Sequence, residues 1–475
     1  MKIVFVRPPF LSEKKSFIHQ PQIIPHLGIA YMTAILKREK YEVHIIDAIA
    51  ERLSKPTLLN KITEIRPDVV GLTASTQQIY DAAEIAKDVK KISSEITTVI
   101  GGYHASALPE QTLKEFNSFD YLVYGEGELT LPELLKAIAN NNSSTLRDIK
   151  GIAYRIVDKI VVNPPRPYLD VNSLPMPDFD GFNLALYKPA ALDPNIHTFF
   201  RKHKYKELPV MTSRGCPYHC IFCFRLQGSN VRYRSIKSVV DEIKRDIEVY
   251  HVNLIAFLDE TFTVNMKRTE ALCDELIKSG LNKEVKWGCE TRCNLVNEAL
   301  LKKMKQAGCS YIGYGIESGE QKILDRATKG LKIEEIKNAV KWTKQAGIRV
   351  FANFIIGLPY DTVDSINKTI EFAMDIDPDV VTFAILTPFP GTDLIDMAKK
   401  GEGGLKIISY DWRDYQKQVG RTLELSQVNR KMLERLQRKG YIRFCIRPKR
   451  CINMLKIVGL RAIIAYLFQR IYIKF

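Results

Sequence analysis

Short apolar runs alternate with amphipathic segments along most of this 475-residue chain, and this alternation constrains the fold most strongly. In the first part the runs include KIVFVR, PDVVGL and TTVIGG, and segments with helical periodicity, such as DAAEIAKDVKKI, lie between them. Strands that alternate with helices typically build a parallel sheet. We therefore predict an α/β fold that opens with a doubly wound, Rossmann-like domain over residues 1–140.

Small and turn-forming residues follow the predicted strands of this domain. Ligands of doubly wound sheets bind at the carboxyl ends of the strands, where glycine lets a ligand approach the backbone closely. Each such residue can equally be an ordinary turn residue. The candidates for ligand contact are Pro8, Pro9, Ser75, Gly101, Gly102, His104, Gly125 and Glu126.

A second strand–helix series begins at Leu208, after a segment rich in Pro and Asp that contains one short predicted hairpin. Six strand-like runs alternate with helices in this series. That number favours a partial (β/α)6 barrel, smaller than the common eight-fold barrel, with functional residues at the carboxyl ends of its strands. We predict a connector over 141–205, the barrel over 206–400 and a mainly helical, basic region over 401–475.

The segment SRGCPYHCIFCF places Cys216, Cys220 and Cys223 on one tight loop, with C-x3-C-x2-C spacing. A structural zinc site normally has four ligands, and neither a fourth cysteine nor a histidine pair lies at zinc-finger spacing. Three thiolates on one loop can instead bind three irons of a 4Fe-4S cluster. The fourth iron would then be open to a substrate or cofactor. Zinc binding and unrelated buried thiols are the alternatives.

This loop, the aromatic Phe222 before its third cysteine, and its place after the first barrel strand resemble the radical S-adenosylmethionine superfamily. The resemblance implies that Cys216, Cys220 and Cys223 hold a 4Fe-4S cluster. It also implies that the open iron binds S-adenosylmethionine, which is cleaved reductively to a 5′-deoxyadenosyl radical. A reductant such as flavodoxin or ferredoxin is then expected as a partner.

The same resemblance implies further contacts with S-adenosylmethionine at the barrel strand ends. Glu260 in FLDETF would meet the methionine amino group, and Arg292 in ETR the carboxylate. Glu317 and Ser318 in GIESG would hold the ribose, and Gly357 in FIIGLP would support the adenine. Each acid has an alternative role as the cap of the next helix.

One departure from the superfamily pattern concerns the residues after GLP. The superfamily often has Gly-Glu-Thr there, whereas this chain has Tyr360, Asp361 and Thr362. The role of this acid in supporting the adenine site is therefore open at the level of sequence.

The N-terminal pieces RPPF, GIAYMTAIL, VIGGYHASALPE and YLVYGEGELTLPELL resemble, in their order, the cobalamin-binding subgroup of the superfamily. The Asp-x-His-x-x-Gly signature, which supplies a histidine to cobalt in many cobalamin proteins, is absent. The resemblance thus implies cobalamin with a weak or absent lower ligand, and a contact by His104 without ligation. A degenerate domain that binds no corrinoid is the alternative.

Methylation of an unactivated carbon or phosphorus centre in a small molecule or lipid is the function that this resemblance implies. Cobalamin would deliver the methyl group to a substrate activated by the adenosyl radical. Ring formation, oxidation and carbon–carbon coupling without methyl transfer are the alternatives, because fold alone does not decide the reaction.

The formal charge of +16 is concentrated at the C-terminus, where eight basic and no acidic residues follow Tyr441. Large apolar residues lie between these cations, a mixture typical of a helix on an anionic membrane surface. The alternative is a helix docked on the barrel. A nucleic-acid-binding iron–sulfur protein is a further alternative that the net charge favours, but no RNA-binding module is recognisable, so nucleic acid is the less expected partner.

A cytoplasmic location, with peripheral membrane association through the tail as an option, is the expectation for this chain. Nine cysteines are an odd number in a long chain and favour a reducing compartment. The sequence shows neither a signal peptide nor an apolar run of membrane-spanning length.

Overall fold

The computed structural model describes residues 1–10, 24–140, 143–157, 159–187 and 205–447. Its N-terminal part is a seven-stranded sheet in the order β2-β1-β3-β4-β5-β6-β7. The strands are β1 (Lys2–Arg7), β2 (Glu42–Asp47), β3 (Val69–Thr73), β4 (Thr97–Gly101), β5 (Tyr121–Val123), β6 (Ile152–Ile156) and β7 (Lys159–Val162). The helices are α1 (Leu27–Arg38), α2 (Lys55–Ile65), α3 (Ile79–Ile92), α4 (Tyr103–Ala107), α5 (Pro109–Glu115) and α6 (Gly127–Ala139).

Strands β1 to β5 pair in parallel, which confirms the prediction of a doubly wound α/β arrangement. Alternate residues of β1 enter two different apolar clusters: Ile3 and Phe5 join one, and Val4 and Val6 join the other. Side chains of a strand point alternately to opposite faces, so both faces of this sheet are covered. Pro8 and Pro9 end the strand because proline has no N–H to donate.

The hairpin predicted within the connector is present as β6 and β7, but it is part of the first sheet. Strand β6 pairs antiparallel with β5, so the sheet continues past residue 140 to Val162. Ile152, Ala153 and Tyr154 are buried in this position. The hairpin thereby covers the hydrogen-bonding edge of β5, which would otherwise be an open edge.

The second part is a six-stranded parallel sheet whose strands are neighbours in chain order, as predicted for a partial barrel. Its strands are β8 (Glu207–Val210), β11 (Leu254–Phe257), β12 (Lys286–Thr291), β13 (Cys309–Glu317), β14 (Arg349–Ile356) and β15 (Val380–Ile385). A two-residue antiparallel pair, β9 (Ser213–Arg214) and β10 (Arg232–Tyr233), closes the loop that contains the three cysteines.

The barrel helices are α7 (Ile236–Tyr250), α8 (Met266–Lys278), α9 (Leu281–Glu284), α10 (Glu298–Gln306), α11 (Gln321–Arg326), α12 (Ile333–Gln345), α13 (Val363–Asp375) and α14 (Asp393–Lys400). Several begin at a polar residue whose side chain accepts a hydrogen bond from the first turn, as Ser235 and Thr362 do. One apolar cluster includes both Ile3 and Phe5 of the first sheet and Ile255 of the barrel, so the two parts share a continuous core.

The C-terminal region, predicted to be mainly helical over 401–475, also contains strands. A short antiparallel pair precedes the helix, formed by β16 (Leu405–Ile407) and β17 (Leu423–Leu425), and the helix α15 spans Arg430–Cys445. Leu423 and Leu425 are buried on either side of a partly exposed residue, which is a strand pattern. Helix α15 covers β15, where the Gln437 side chain donates to the carbonyl of Phe383 at 2.6 Å.

The predicted membrane-surface helix after Arg447 lies outside the described residues. Within the described ranges, no helix is both long and apolar enough to span a bilayer.

Gly102 lies where β3 and β4 end, and a side chain there should destabilise the first sheet. Its φ is +97°, and a Cβ would lie 2.7 Å from the carbonyl oxygen of Ala74. Gly125 has a similar φ of +75° but open space around its Cβ position. We expect Gly125→Ala to cost about 1 kcal/mol for its backbone conformation alone, and Gly102→Ala to lower the thermal midpoint clearly more. Equal midpoints for the two variants would contradict this packing argument.

Candidate active site

Backbone hydrogen bonds fold the cysteine loop onto itself and onto the barrel. The Cys216 N–H donates to the carbonyl of Gly228 at 3.0 Å, and the Cys223 N–H to that of Cys220 at 3.1 Å. The Thr328 hydroxyl donates to the carbonyl of His219 at 2.5 Å. Gly215 has a φ of +98°, and a Cβ would lie 2.5 Å from the Asn230 carbonyl oxygen, so the close turn before Cys216 requires glycine.

The three thiols have different surroundings. Cys220 is buried, Cys223 is exposed and Cys216 is intermediate, with its Sγ 3.4 Å from the hydroxyl of Thr261. A hydrogen bond with Cys223, assisted by the charges of Lys329 and Arg292, lowers the pKa of Cys220, whereas the same hydrogen bond and burial raise the pKa of Cys223. The two cations thus favour a thiolate, the form of cysteine that binds metals, at Cys220.

The donor set fits an iron–sulfur cluster better than a single metal ion. Within the described ranges, no three His, Cys, Asp or Glu side chains are grouped as ligands of one ion. In a 4Fe-4S cluster each thiolate binds its own iron, so the sulfurs need not converge on one point. Cys216, Cys220 and Cys223 on one closed loop beside buried cations meet that requirement.

Two buried cations hold the cysteine loop against the segment after α11. Arg292 donates to the Gly330 carbonyl at 3.3 Å and to Cys220 Sγ at 3.7 Å, and its guanidinium lies 3.7 Å above the Tyr218 ring centre. Lys329 Nζ lies 2.8 Å from Glu317 Oε1 and 5.8 Å from the ring centre of Phe222. The predicted contacts of Arg292 and Glu317 with S-adenosylmethionine stay predictions, since both side chains contact protein partners here.

The two acids that follow β11 serve different purposes. Asp259 is buried and accepts hydrogen bonds from the backbone N–H and the hydroxyl of Thr212, at 3.0 and 2.7 Å. It thereby fixes the base of the cysteine loop. Glu260 is exposed to solvent, yet desolvation by the surrounding protein raises its pKa to about 7 despite the nearby charge of Arg232.

Tyr103, at the start of α4 in the first domain, lies close to Glu260 of the barrel. Its side chain is 59% exposed, and the surrounding protein together with the charge of Glu260 raises its pKa. Its ring lies 6.5 Å from that of Phe224, which follows Cys223 directly. We refer to the solvent-exposed space beside Tyr103, Phe224 and Glu260 as the hollow.

The turn after β14 is organised by Asp361, the residue whose role the sequence left open. Its Oδ2 accepts the backbone N–H groups of Gly357 and Leu358, each at 3.0 Å, and its Oδ1 accepts the Ser365 hydroxyl. Burial raises the pKa of Asp361 to about 6. Ser318, after β13, is buried and its hydroxyl lies 3.1 Å from that of Thr369.

Strand ends of the first sheet meet at one edge, as the sequence predicted. Gln78 donates to the carbonyl of Pro8 at 3.2 Å and accepts from the Ser75 hydroxyl at 2.9 Å. Gly102 packs against the end of β3, and the Gly125 N–H donates to the hydroxyl of Ser106 at 3.0 Å. The expected contacts of Pro8, Pro9, Ser75, Gly101, Gly102 and Gly125 with cobalamin stay predictions.

His104 and Glu126 both contact protein residues here, and the cofactor contacts expected for them stay predictions. His104 is fully buried with its ring 5.0 Å from that of Trp412, and burial lowers its pKa to about 4. Neither ring nitrogen has a hydrogen-bond partner among the described residues. Glu126 instead forms ion pairs with Arg214 and Arg232 on the strands that close the cysteine loop.

The sequence did not identify four residues that contact or lie near the cysteine loop or its neighbouring acids: Arg214, Arg232, Lys329 and Tyr103. A signal for two of them exists: arginines flank the cysteine loop in SRG and VRYR, and two acids lie in the turn GEGE. Opposite charges in segments far apart in the chain could have suggested contact between the two domains.

Comparisons with known proteins agree with this geometry. A radical SAM superfamily model matches residues 210–373, and a B12 binding domain model matches residues 17–135. An uncharacterized methyltransferase of Pyrococcus horikoshii is 35% identical over 94% of this chain and 93% of its own length. An anaerobic magnesium-protoporphyrin IX monomethyl ester cyclase of Cereibacter sphaeroides is 34% identical over 83% of this chain and 63% of its own. A cytidylyl-2-hydroxyethylphosphonate methyltransferase of Streptomyces wedmorensis is 27% identical over 79% of this chain and 78% of its own length.

Solved structures share the fold. The radical S-adenosylmethionine methyltransferase TsrM of Kitasatospora setae superposes with a TM-score of 0.72 at 18% identity, covering 94% of this chain and 89% of its own. The cobalamin-dependent S-adenosylmethionine radical enzyme OxsB gives a TM-score of 0.73 at 18% identity, covering 99% of this chain and 71% of its own. The two matched domains confirm the predicted cofactors, a 4Fe-4S cluster with S-adenosylmethionine and cobalamin. The chain therefore belongs to the radical SAM superfamily, among its members that carry a B12-binding domain.

Proposed function

We propose that this protein is a cobalamin-dependent radical SAM methyltransferase that acts on an unactivated carbon or phosphorus centre of a small molecule or lipid. The observation that carries the proposal is the 35% identity to a relative named as a methyltransferase, which extends over 94% of the chain and thus through both domains. A reductant such as flavodoxin or ferredoxin would supply the electron. The lipid option rests on the basic, apolar sequence after Arg447.

When bound, the cofactors supply radical formation and the transferable methyl group, and the protein binds and orients the cofactors and the substrate. Cys216, Cys220 and Cys223 would hold the cluster on a loop that hydrogen bonds fix at both ends. Glu260, in the hollow, has the charge and location to pair with an ammonium group. The turn at Gly357, held by Asp361, offers a flat backbone surface beside the same strand ends.

A cyclase that does not transfer a methyl group is the second candidate. The observation in its favour is the 34% identity to the Cereibacter sphaeroides cyclase over 83% of this chain. The two candidates differ in their products from S-adenosylmethionine: radical cleavage yields 5′-deoxyadenosine, and methyl donation yields S-adenosylhomocysteine.

The deciding experiment is anaerobic reconstitution of the full chain with iron, sulfide and cobalamin, followed by reduction in the presence of S-adenosylmethionine. Formation of both 5′-deoxyadenosine and S-adenosylhomocysteine supports the methyltransferase. Formation of 5′-deoxyadenosine alone favours the cyclase type of reaction. Formation of neither product would overturn both candidates.

Replacement of any one of Cys216, Cys220 and Cys223 by alanine should abolish the cluster. We expect iron content and 5′-deoxyadenosine formation to fall at least tenfold while cobalamin binding persists. Cys273→Ala is the matched control, because Cys273 is a fully buried core thiol whose pKa burial raises to about 12. A variant with all three cysteines replaced by alanine should bind no cluster iron. If it retains iron, or if the Cys273→Ala control loses iron to the same extent, the assignment of the ligands is refuted.

The affinity for S-adenosylmethionine should rise between about pH 6 and pH 8 through Glu260. Burial raises the pKa of this carboxyl to about 7, so below that pH it is mainly protonated and cannot pair with the methionine ammonium group. Glu260→Gln should weaken binding at pH 8 and flatten the profile. Equilibrium dialysis of reconstituted protein measures both effects, and an unchanged profile in the variant would argue against this contact.

Asp361→Ala should weaken binding of S-adenosylmethionine much more than Asp361→Asn. Alanine leaves two buried N–H groups without an acceptor, at a cost of about 1–3 kcal/mol each, whereas the asparagine oxygen can still accept them. We expect a lower thermal midpoint and a raised dissociation constant for alanine only. Similar values for the two variants would mean that the turn at Gly357 does not depend on these bonds.

A further inference from the structure

The base of the cysteine loop is tied to the first domain by buried ion pairs. Arg214 and Arg232 are partners across the β9–β10 pair, the two strands between which the whole loop extends. Arg214 Nη1 lies 3.0 Å from Glu126 Oε1, and Arg232 Nη2 lies 2.8 Å from the same oxygen. Arg214 Nη2 lies 2.5 Å from Glu128 Oε1. We refer to Glu126, Glu128, Arg214 and Arg232 as the interdomain clamp.

The clamp is excluded from water and balanced in charge. The side chains of Arg214, Glu126 and Glu128 are 5, 7 and 6% exposed, and that of Arg232 is 18% exposed. Burial alone would raise the pKa of Glu126, but the hydrogen bond from Arg232 and the charge of Arg214 hold it below its usual value. Glu126 is therefore charged near neutral pH.

Buried ion pairs contribute little net stability, because the cost of desolvation offsets most of their attraction. Apolar side chains in their place often give an equally stable protein. The attested use of buried ion pairs is to specify one geometry among several. Arg232 also donates to the carbonyls of Leu169 and Gln227, at 2.8 and 3.1 Å, so it fixes the far end of the loop. The clamp thus specifies how the loop sits on the first domain.

The place of the clamp gives this geometry a functional meaning. Arg214 is two residues from the first predicted cluster ligand, Cys216. Glu126 and Glu128 lie at the start of α6, in the turn that follows β5 at the carboxyl edge of the first sheet. The clamp therefore joins the loop of one cofactor directly to the binding edge of the other.

We propose that Glu126, Glu128, Arg214 and Arg232 are positioning residues that set the distance and orientation between the cluster and the corrinoid, and so couple radical formation to methyl transfer. This inference rests on the proposed function. Loosening the clamp would leave each cofactor bound while misplacing one relative to the other.

The test uses the full chain, reconstituted with cluster and cobalamin, as wild type, Glu126→Gln and Glu128→Gln. Pulsed electron paramagnetic resonance reports how strongly the reduced cluster accelerates spin relaxation of cob(II)alamin, which depends on the distance between them. We expect at least a twofold smaller acceleration in Glu126→Gln, and a ratio of S-adenosylhomocysteine to 5′-deoxyadenosine at least fivefold lower, at unchanged iron and cobalamin content.

Glu133→Gln is the matched control, since it removes an acid on the same helix that pairs with Arg166 at the surface. A double-mutant cycle adds Arg232→Met: if the two residues act as one clamp, the combined change in the ratio falls short of the product of the single changes.

Unchanged relaxation and product ratio in a fully loaded Glu126→Gln protein would overturn the inference. If Glu126→Gln fails to retain the cluster, Glu128→Gln decides: a shifted relaxation supports the clamp, and wild-type behaviour overturns it. Failure of the proposed function is recognised separately, because wild type would then form neither product while the relaxation measurement still tests the clamp.

Discussion

A buried charge must have a partner, and this requirement joins the two halves of the molecule. Glu126 and Glu128 arise in the first domain, and Arg214 and Arg232 in the barrel, so neither set could be buried charged without the other. Removal of one partner leaves an uncompensated charge, which is far more destabilising than loss of the pair. The relative position of the domains, and with it the hollow between them, therefore follows from electrostatics as much as from the shared apolar core.

The cysteine loop is held from two sides by different cations. Arg214 and Arg232 fix its base to the first domain. Arg292, which follows β12, and Lys329, which follows α11, lie near its buried thiol. The charges of the first pair are neutralised by Glu126 and Glu128, and this pair fixes the position of the loop on the first domain. Lys329 pairs with Glu317, whereas Arg292 has no acid partner among the described residues, so positive charge remains close to Cys220. That charge stabilises thiolates and would also stabilise an electron added to a cluster there.

The order of elements was predictable from sequence because strand and helix periods are local properties of the chain. The six barrel strands and the parallel first sheet followed from alternation alone. The hairpin β6–β7 was recognised, but not its membership of the first sheet, since strand pairing is decided by which edge is open. The strands within the C-terminal region were not predicted, because Leu423 and Leu425 pair with β16 through a tertiary contact that overrides local propensity.

In the candidate site, too, residues close together in the chain were predictable, whereas contacts between distant residues were not. Cys216, Cys220 and Cys223 were recognisable because their spacing is local. Glu126 was recognised as a polar residue at a strand end and assigned to the cofactor, since its arginine partners lie 88 and 106 residues away in the chain. His104 was polar and near a glycine pair, but it packs on Trp412 of the C-terminal region.

The distinction between methyl transfer and simple radical chemistry depends on geometry that no single motif contains. A cluster loop alone suffices for reductive cleavage of S-adenosylmethionine, and a corrinoid domain alone suffices to bind cobalamin. Coupling requires that both cofactors reach one substrate, and Tyr103 of the first domain lies close enough to Glu260 of the barrel for their charges to interact. The interdomain clamp fixes the relative position of these two domains, so the choice of reaction depends on residues that contact neither the substrate nor the reacting atoms.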